Sequence, residues 1–116
     1  MNEVNVAKNF KLREFECKDG SHLVKVDSKL VDKLQKLRDR LGKPVIITSG
    51  YRTAAHNKKV GGAPKSQHLY GTAVDIKVNG MTPKQILPHA EAVGFTGIGL
   101  YRGHIHVDVR KNKARW

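Results

Sequence analysis

The sequence predicts an α+β fold, a small and mostly antiparallel sheet with helices packed outside it. Three features point there. Leucines recur at helical spacing over residues 28–41, two short β-branched segments follow at 44–49 and 72–78, and two extended segments near the end are joined by a tight turn. A chain of 116 residues, 39% of them hydrophobic, suits one domain around one modest core. Residues 1–116 are therefore expected to form a single domain, with 1–26 as an extension packing on the core and 111–116 as a basic, solvated tail.

In the extension, Phe10, Leu12 and Phe15 can anchor a short helical or irregular turn, Lys18-Asp19-Gly20-Ser21 marks a turn, and Leu23–Val26 can be extended. The first helix is the clearest element. Leu30, Leu34, Leu37 and Leu41 draw one apolar stripe, Asp27 or Ser28 can cap its start, and Gly42 suits a left-handed stop. Its leucines are core. Pro44–Ser49 reads as a short buried strand, and Thr53–Val60 as a short helix closed by Gly61-Gly62. Ala63–Ser66 is loop. Thr72–Val78 is a strand ended by Asn79-Gly80. Thr82 caps a helix with Pro83 at its first position, running to Val93, and Pro88 should kink or split it. Phe95–Tyr101 and His104–Arg110 form an antiparallel hairpin around Arg102-Gly103.

Composition excludes several classes. No stretch approaches the length of a membrane span, and the N-terminal residues lack the apolar region of a signal peptide. The chain is expected to be cytosolic when made, a processed fragment, or exported by another route. Cys17 is the only cysteine, so there is no intrachain disulfide and no cysteine-rich metal site; it reads as a packed small hydrophobe. The formal charge of +12 predicts attraction to a polyanion: nucleic acid, an acidic cell wall or a phospholipid surface. Nucleic acid is disfavoured, because no run interleaves basic and aromatic residues and because it leaves the chemistry below unexplained.

That chemistry lies in two segments, Ser66-Gln67-His68-Leu69-Tyr70-Gly71-Thr72-Ala73-Val74-Asp75 and His104-Ile105-His106-Val107-Asp108. Strand alternation puts His104, His106 and Asp108 on one face and Ile105, Val107 and Val109 on the other, core-facing one. A solvated polar face would explain the first set equally well. In the earlier strand, Asp75 is a poor strand former among β-branched residues, which suggests a partner: a salt bridge, or an ion shared with His68 on the preceding loop. The small Gly71 and Ala73 would let that loop approach. Nitrogen and oxygen ligands drawn from separate elements are how a mononuclear zinc site is assembled, and a metallohydrolase is the class expected.

The run from Ser66 to Asp75 resembles the Ser-x-His-x-x-Gly-x-Ala-x-Asp signature of the zinc D-Ala-D-Ala carboxypeptidases. Ser49-Gly50-Tyr51-Arg52-Thr53 resembles that family's Ser-Gly-Tyr-Arg segment, and His104-Ile105-His106 its His-x-His ending. The resemblance spans about Pro44 to Asp108. It implies a Hedgehog-like (DD-peptidase-like) α+β fold and one Zn2+ ion held by His68, Asp75 and His106. It also implies a substrate carbonyl or carboxylate held by Arg52, and Ser66 ordering the ligand loop or the substrate. His104 would stand beside the reacting water as the acid/base group. Asp108 has no family role; orienting an imidazole or a salt bridge is expected of it. Many members carry an acid three residues before the last ligand, where this chain has Gly103.

The function implied is peptidoglycan peptide hydrolysis, of D,D-carboxypeptidase or endopeptidase (endolysin) type; the alternative is a non-catalytic, zinc-containing wall-binding module. The partners expected are a stem peptide or cross-bridge and an anionic wall surface, met by a monomer after release or lysis.

Overall fold

The computed structural model describes all 116 residues. Seven strands and three helices follow in the order β1 (Asn5–Ala7), β2 (Phe10–Lys11), α1 (Ser28–Leu41), β3 (Ile46–Ser49), α2 (Ala54–Lys59), β4 (Ala73–Lys77), α3 (Pro83–Val93), β5 (Gly97–Leu100), β6 (Ile105–Asp108) and β7 (Ala114–Arg115), with 3-10 turns at Leu12–Phe15 and Gln67–Tyr70. The protein is α+β. A five-stranded sheet has the order β3-β4-β6-β5-β7, and β1-β2 forms a separate ribbon. The contacts β3-β4, β4-β6 and β6-β5 are antiparallel, while β7 joins β5 in parallel.

The helices start and stop where local chemistry dictates. Asp27 accepts from the backbone N–H groups of Lys29 and Leu30, and Gly42 ends α1 in the left-handed region at φ 63°. Thr53 caps α2. Thr82 and Gln85 form a reciprocal capping box at α3 with Pro83 just inside it. Pro88 does not split α3, which runs as one element to Val93.

The leucine stripe of α1 packs with Ile86 and Ala90 of α3 onto Val74, Ile76, Ile98, Ile105 and Val107 of the sheet, in a single cluster that also takes in Phe10 and Phe15. Residues 1–26 thus contribute directly to the core. Cys17 is buried with them, its sulfur accepting from the Thr53 N–H. Leu34 is fully buried at the centre of this cluster. Leu34→Ala is expected to destabilise the fold by about 2–5 kcal/mol, read as a lowered urea midpoint with an unchanged slope.

Two expectations need correction. The strand at 44–49 is not buried: β3 lies at the sheet edge, Ile47 is its one buried residue, and Thr48 faces solvent. Residues 111–116 are not simply a solvated tail, because Ala114–Arg115 pairs with Gly97–Ile98 and Trp116 exchanges backbone hydrogen bonds with Ile98 and Leu100. Its basic composition conceals a short edge strand that needs only two backbone pairs to hold.

Candidate metal centre and its cleft

Sheet register assembles the site. Ser49 lies opposite Asp75, Asp75 opposite His106, and His106 opposite Gly99, so one row crosses four strands. The next row runs Ala73, Asp108, Gly97, Ala114. The face that carries the acids and His106 is otherwise made of the smallest residues. The reason is steric: a Cβ on Gly97 would overlap the Asp108 carboxylate, and one on Gly99 would overlap the Trp116 indole. The opposite face, Val74, Ile76, Ile105 and Val107, is the core. The polar face is therefore not solvated. His106 and Asp108 are buried, with Asp108 fully inaccessible.

His68 arrives from outside the sheet, on the 3-10 turn Gln67–Tyr70 rather than on an irregular loop. Ser66 caps that turn, accepting from the His68 N–H at 3.2 Å. Gly71 ends it at φ 70°, where a Cβ would also overlap the Lys25 carbonyl. Its small size therefore serves the approach to residues 25–27, where the Asp27 N–H donates to the Gly71 carbonyl, rather than the approach of His68 to the sheet. A backbone bond from Arg52 N–H to the His68 carbonyl ties the turn to the segment after β3.

The atoms converge. One ring nitrogen of His68, one oxygen of Asp75 and one ring nitrogen of His106 all lie within 4.8 Å of one another, and all three residues are buried. His68 Nε2 is 3.3 Å and His106 Nδ1 3.4 Å from Asp75 Oδ1. The far nitrogens are already engaged. His68 Nδ1 sits 2.8 Å from the Gly50 carbonyl oxygen, which can only accept, so Nδ1 carries the proton. His106 Nε2 sits 2.7 Å from Asp108 Oδ2, a carboxylate, so it too is the donor. In the neutral imidazoles both inward nitrogens are then bare lone pairs aimed at a carboxylate oxygen. Three acceptors facing one another need a cation between them. Two imidazoles and one carboxylate fit a borderline-soft divalent ion, with the outer hydrogen bonds setting tautomer and ring orientation.

The charges agree. Burial opposes ionisation of Asp75, but its contacts with His106 and His68 outweigh it and hold the carboxyl well below the usual range. Burial likewise opposes the charge on Asp108, and His106 and Arg110 more than reverse that effect. Burial lowers the proton affinity of His106, yet Asp108 and Asp75 on its two nitrogens raise it overall. Each of these shifts favours a proton or another cation shared between the carboxylates and the imidazoles.

Arg52 and His104 border this cluster. Arg52 Nη2 donates to Asp75 Oδ2 at 3.3 Å, Nη1 to Asn57 Oδ1 at 3.3 Å and Nε to Ser49 at 3.2 Å. Two guanidinium N–H groups remain for another acceptor. His104 Nε2 is 3.7 Å from Asp75 Oδ2, and its side chain is about a third exposed. Gly103 is exposed, and a Cβ there would meet nothing. Together these residues floor an open cleft of about 520 Å³ whose walls include Gly62, Lys65, Ser66, Tyr101, Arg110 and Trp116.

Asn57 follows Arg52 closely enough in sequence to be expected at the cleft, whereas the roles of Arg110, Trp116 and Gly62 escaped the sequence reading. Asn57 is buried, donating to the Ala63 carbonyl at 2.8 Å while accepting from Arg52. Arg110 grips Asp108 through Nε and Nη2, and Trp116 lies against His106 with ring centroids 4.9 Å apart. A Cβ on Gly62 would collide with Asn57 Oδ1 and approach Arg52 Nη1. Gly62→Ala is therefore expected to displace Arg52 and weaken binding of a carboxylate ligand in the cleft about tenfold, with metal content unchanged.

A model of the peptidase M15 family matches residues 8–108. The chain belongs to that family. A zinc D-Ala-D-Ala carboxypeptidase from Streptomyces albus G is 35% identical over 81 residues, covering 65% of this chain and 32% of that protein. The peptidoglycan L,D-endopeptidase MepK of Escherichia coli K12 is 34% identical over 92 residues, covering 72% of this chain and 50% of MepK; MepK of Shigella flexneri matches equally. The chain thus spans about a third to a half of the length of these curated relatives.

Proposed function

We propose that this chain is a zinc-dependent peptidase that hydrolyses peptide bonds of bacterial peptidoglycan, on a Hedgehog-like fold. The observation that carries it is the set of three inward acceptors, His68 Nε2, Asp75 Oδ1 and His106 Nδ1, at the floor of a cleft that also holds Arg52 and His104. Membership of the M15 family and the printed activities of the relatives support the same reading. One Zn2+ ion is the cofactor, held by His68, Asp75 and His106. When bound, it supplies Lewis acidity that polarises a carbonyl and makes water a competent nucleophile near neutral pH.

The chain's own residues do the rest. Arg52 is pinned by Asn57 and Ser49 and stays charged, so its spare N–H groups can hold a substrate carbonyl or carboxylate as negative charge develops there. His104 faces the same space with Nε2 and can carry a proton from the attacking water to the leaving amine. Ser66 fixes the His68 turn and lines the cleft, where it can also meet substrate. Asp108 keeps His106 in the tautomer that turns Nδ1 inward. The surplus of positive charge favours approach to an anionic wall.

The test is mass spectrometry of fragments released from purified peptidoglycan, with and without a chelator. Release of stem-peptide or cross-bridge cleavage products that stops on chelation and returns with zinc is expected, and the masses identify the bond cut. Zinc retention with no released fragment at any pH would instead favour the wall-binding module.

A further inference from the structure

We propose that Tyr101 and Trp116 are positioning residues for His104, joined in a relay that runs from β7 across the hairpin to the imidazole. The inference rests on the peptidase reading, since the role it refines is that of His104. His104 stands on the turn between β5 and β6, about a third exposed, with no hydrogen bond to either ring nitrogen that would fix it. Its ring is held by Tyr101. The two lie stacked, with centroids 4.6 Å apart and planes 9° from parallel. The turn itself adds a backbone bond from Tyr101 N–H to the His104 carbonyl.

Tyr101 is itself exposed, and a lone exposed ring would swing freely. Trp116 prevents this: its indole N–H donates to the Tyr101 hydroxyl at 2.6 Å. Trp116 is anchored in three ways. Its backbone pairs with Ile98 and Leu100 of β5, the Arg110 guanidinium lies 4.8 Å over its ring, and Gly99 leaves the space that the indole fills. Arg110 is in turn locked onto Asp108, which carries His106. One indole thus ties the ring that faces the reacting space to the framework that holds the candidate metal ligands. A basic terminal segment with a single aromatic is used here as a brace for the site.

The experiment compares Tyr101→Phe, which keeps the stack but loses the acceptor, Trp116→Phe, which loses the donor, and their double variant. Each single change is expected to lower kcat roughly three- to tenfold, with KM and zinc content within twofold. The double variant should fall no further than either single one, because all three lack the same hydrogen bond. In a His104→Ala background neither change should alter the residual rate. A second arm needs neither substrate nor zinc: relaxation of the His104 ring carbons in the metal-free protein should report greater ring mobility in both single variants. Additive losses, an unchanged effect in the His104→Ala background, or unaltered ring mobility would overturn the proposal. A wild-type protein that cuts no peptidoglycan would instead remove the peptidase reading, and the ring-mobility arm would still decide whether the relay exists.

Discussion

Asp75→Ala is expected to abolish zinc retention and peptidoglycan hydrolysis together. Asp75 is the one residue that touches every other member of the cluster. Oδ1 lies 3.3 Å from His68 and 3.4 Å from His106, and Oδ2 lies 3.3 Å from Arg52 and 3.7 Å from His104. Its removal takes away the only negative charge pointing inward, so an incoming cation would meet two imidazoles and an arginine. Zinc affinity should fall by at least about a hundredfold, to the point where gel filtration strips the ion. Arg52 would lose its charge partner and turn towards solvent, so the group that orients the substrate would go with the metal.

The fold should survive this change better than the site. Asp75 sits on the polar face of β4, and the apolar face of Val74 and Ile76 is untouched. Losing a carboxylate on which three histidines and an arginine converge costs some stability, but it leaves the apolar core intact. Thermal unfolding of the metal-free variant should therefore stay cooperative. Metal content by elemental analysis and fragment release from peptidoglycan are the two readouts. Undiminished hydrolysis by a zinc-free Asp75→Ala protein would sink the metallopeptidase reading.

The strand residues of the candidate metal cluster were legible because two short-range rules expose them, whereas His68 was singled out by the family resemblance. Alternation along a strand places His104, His106 and Asp108 on one face whatever the sheet looks like. A carboxylate among β-branched residues marks Asp75 in the same way. The helix limits were legible for an equally local reason, since Asp27, Thr82 and Gly42 act on backbone groups within four residues. The aromatic and steric surroundings were not. Trp116 reaches His106 only because β7 lies beside β5 and β5 beside β6, an order that no local pattern encodes. Gly97 and Gly99 read as weak strand residues until Asp108 and the indole are seen to occupy the space a Cβ would take. Each small residue and the large side chain that fills its space are two halves of one packing solution, placed far apart in the sequence.

Asp108→Asn should injure both stability and the metal site, though it changes almost no volume. Asp108 is fully buried, and its oxygens accept from His106 Nε2 at 2.7 Å, from Arg110 Nε and Nη2 at 2.9 and 2.6 Å, and from the Arg110 backbone at 3.0 Å. Every partner is a donor. An asparagine would bring an NH2 group into this ring of donors, so whichever way the amide turns, one N–H meets another. It also leaves the Arg110 guanidinium without its counter-charge, although that side chain is 28% exposed and water can recover part of the loss. A cost of roughly 2–4 kcal/mol follows after that discount, measured as a lowered urea midpoint in the metal-free protein. The second effect acts through His106. With the carboxylate gone, its Nε2–H loses the partner that fixes the tautomer, and the ring can turn Nδ1 away from Asp75. Zinc affinity should drop about 10- to 100-fold. Arg110→Gln separates the two consequences, because it weakens the fold while leaving the Asp108 carboxylate on His106. It should lose stability and keep most of its zinc affinity. If Asp108→Asn instead binds zinc as tightly as the wild type, His106 is held in place by the Trp116 ring rather than by its carboxylate.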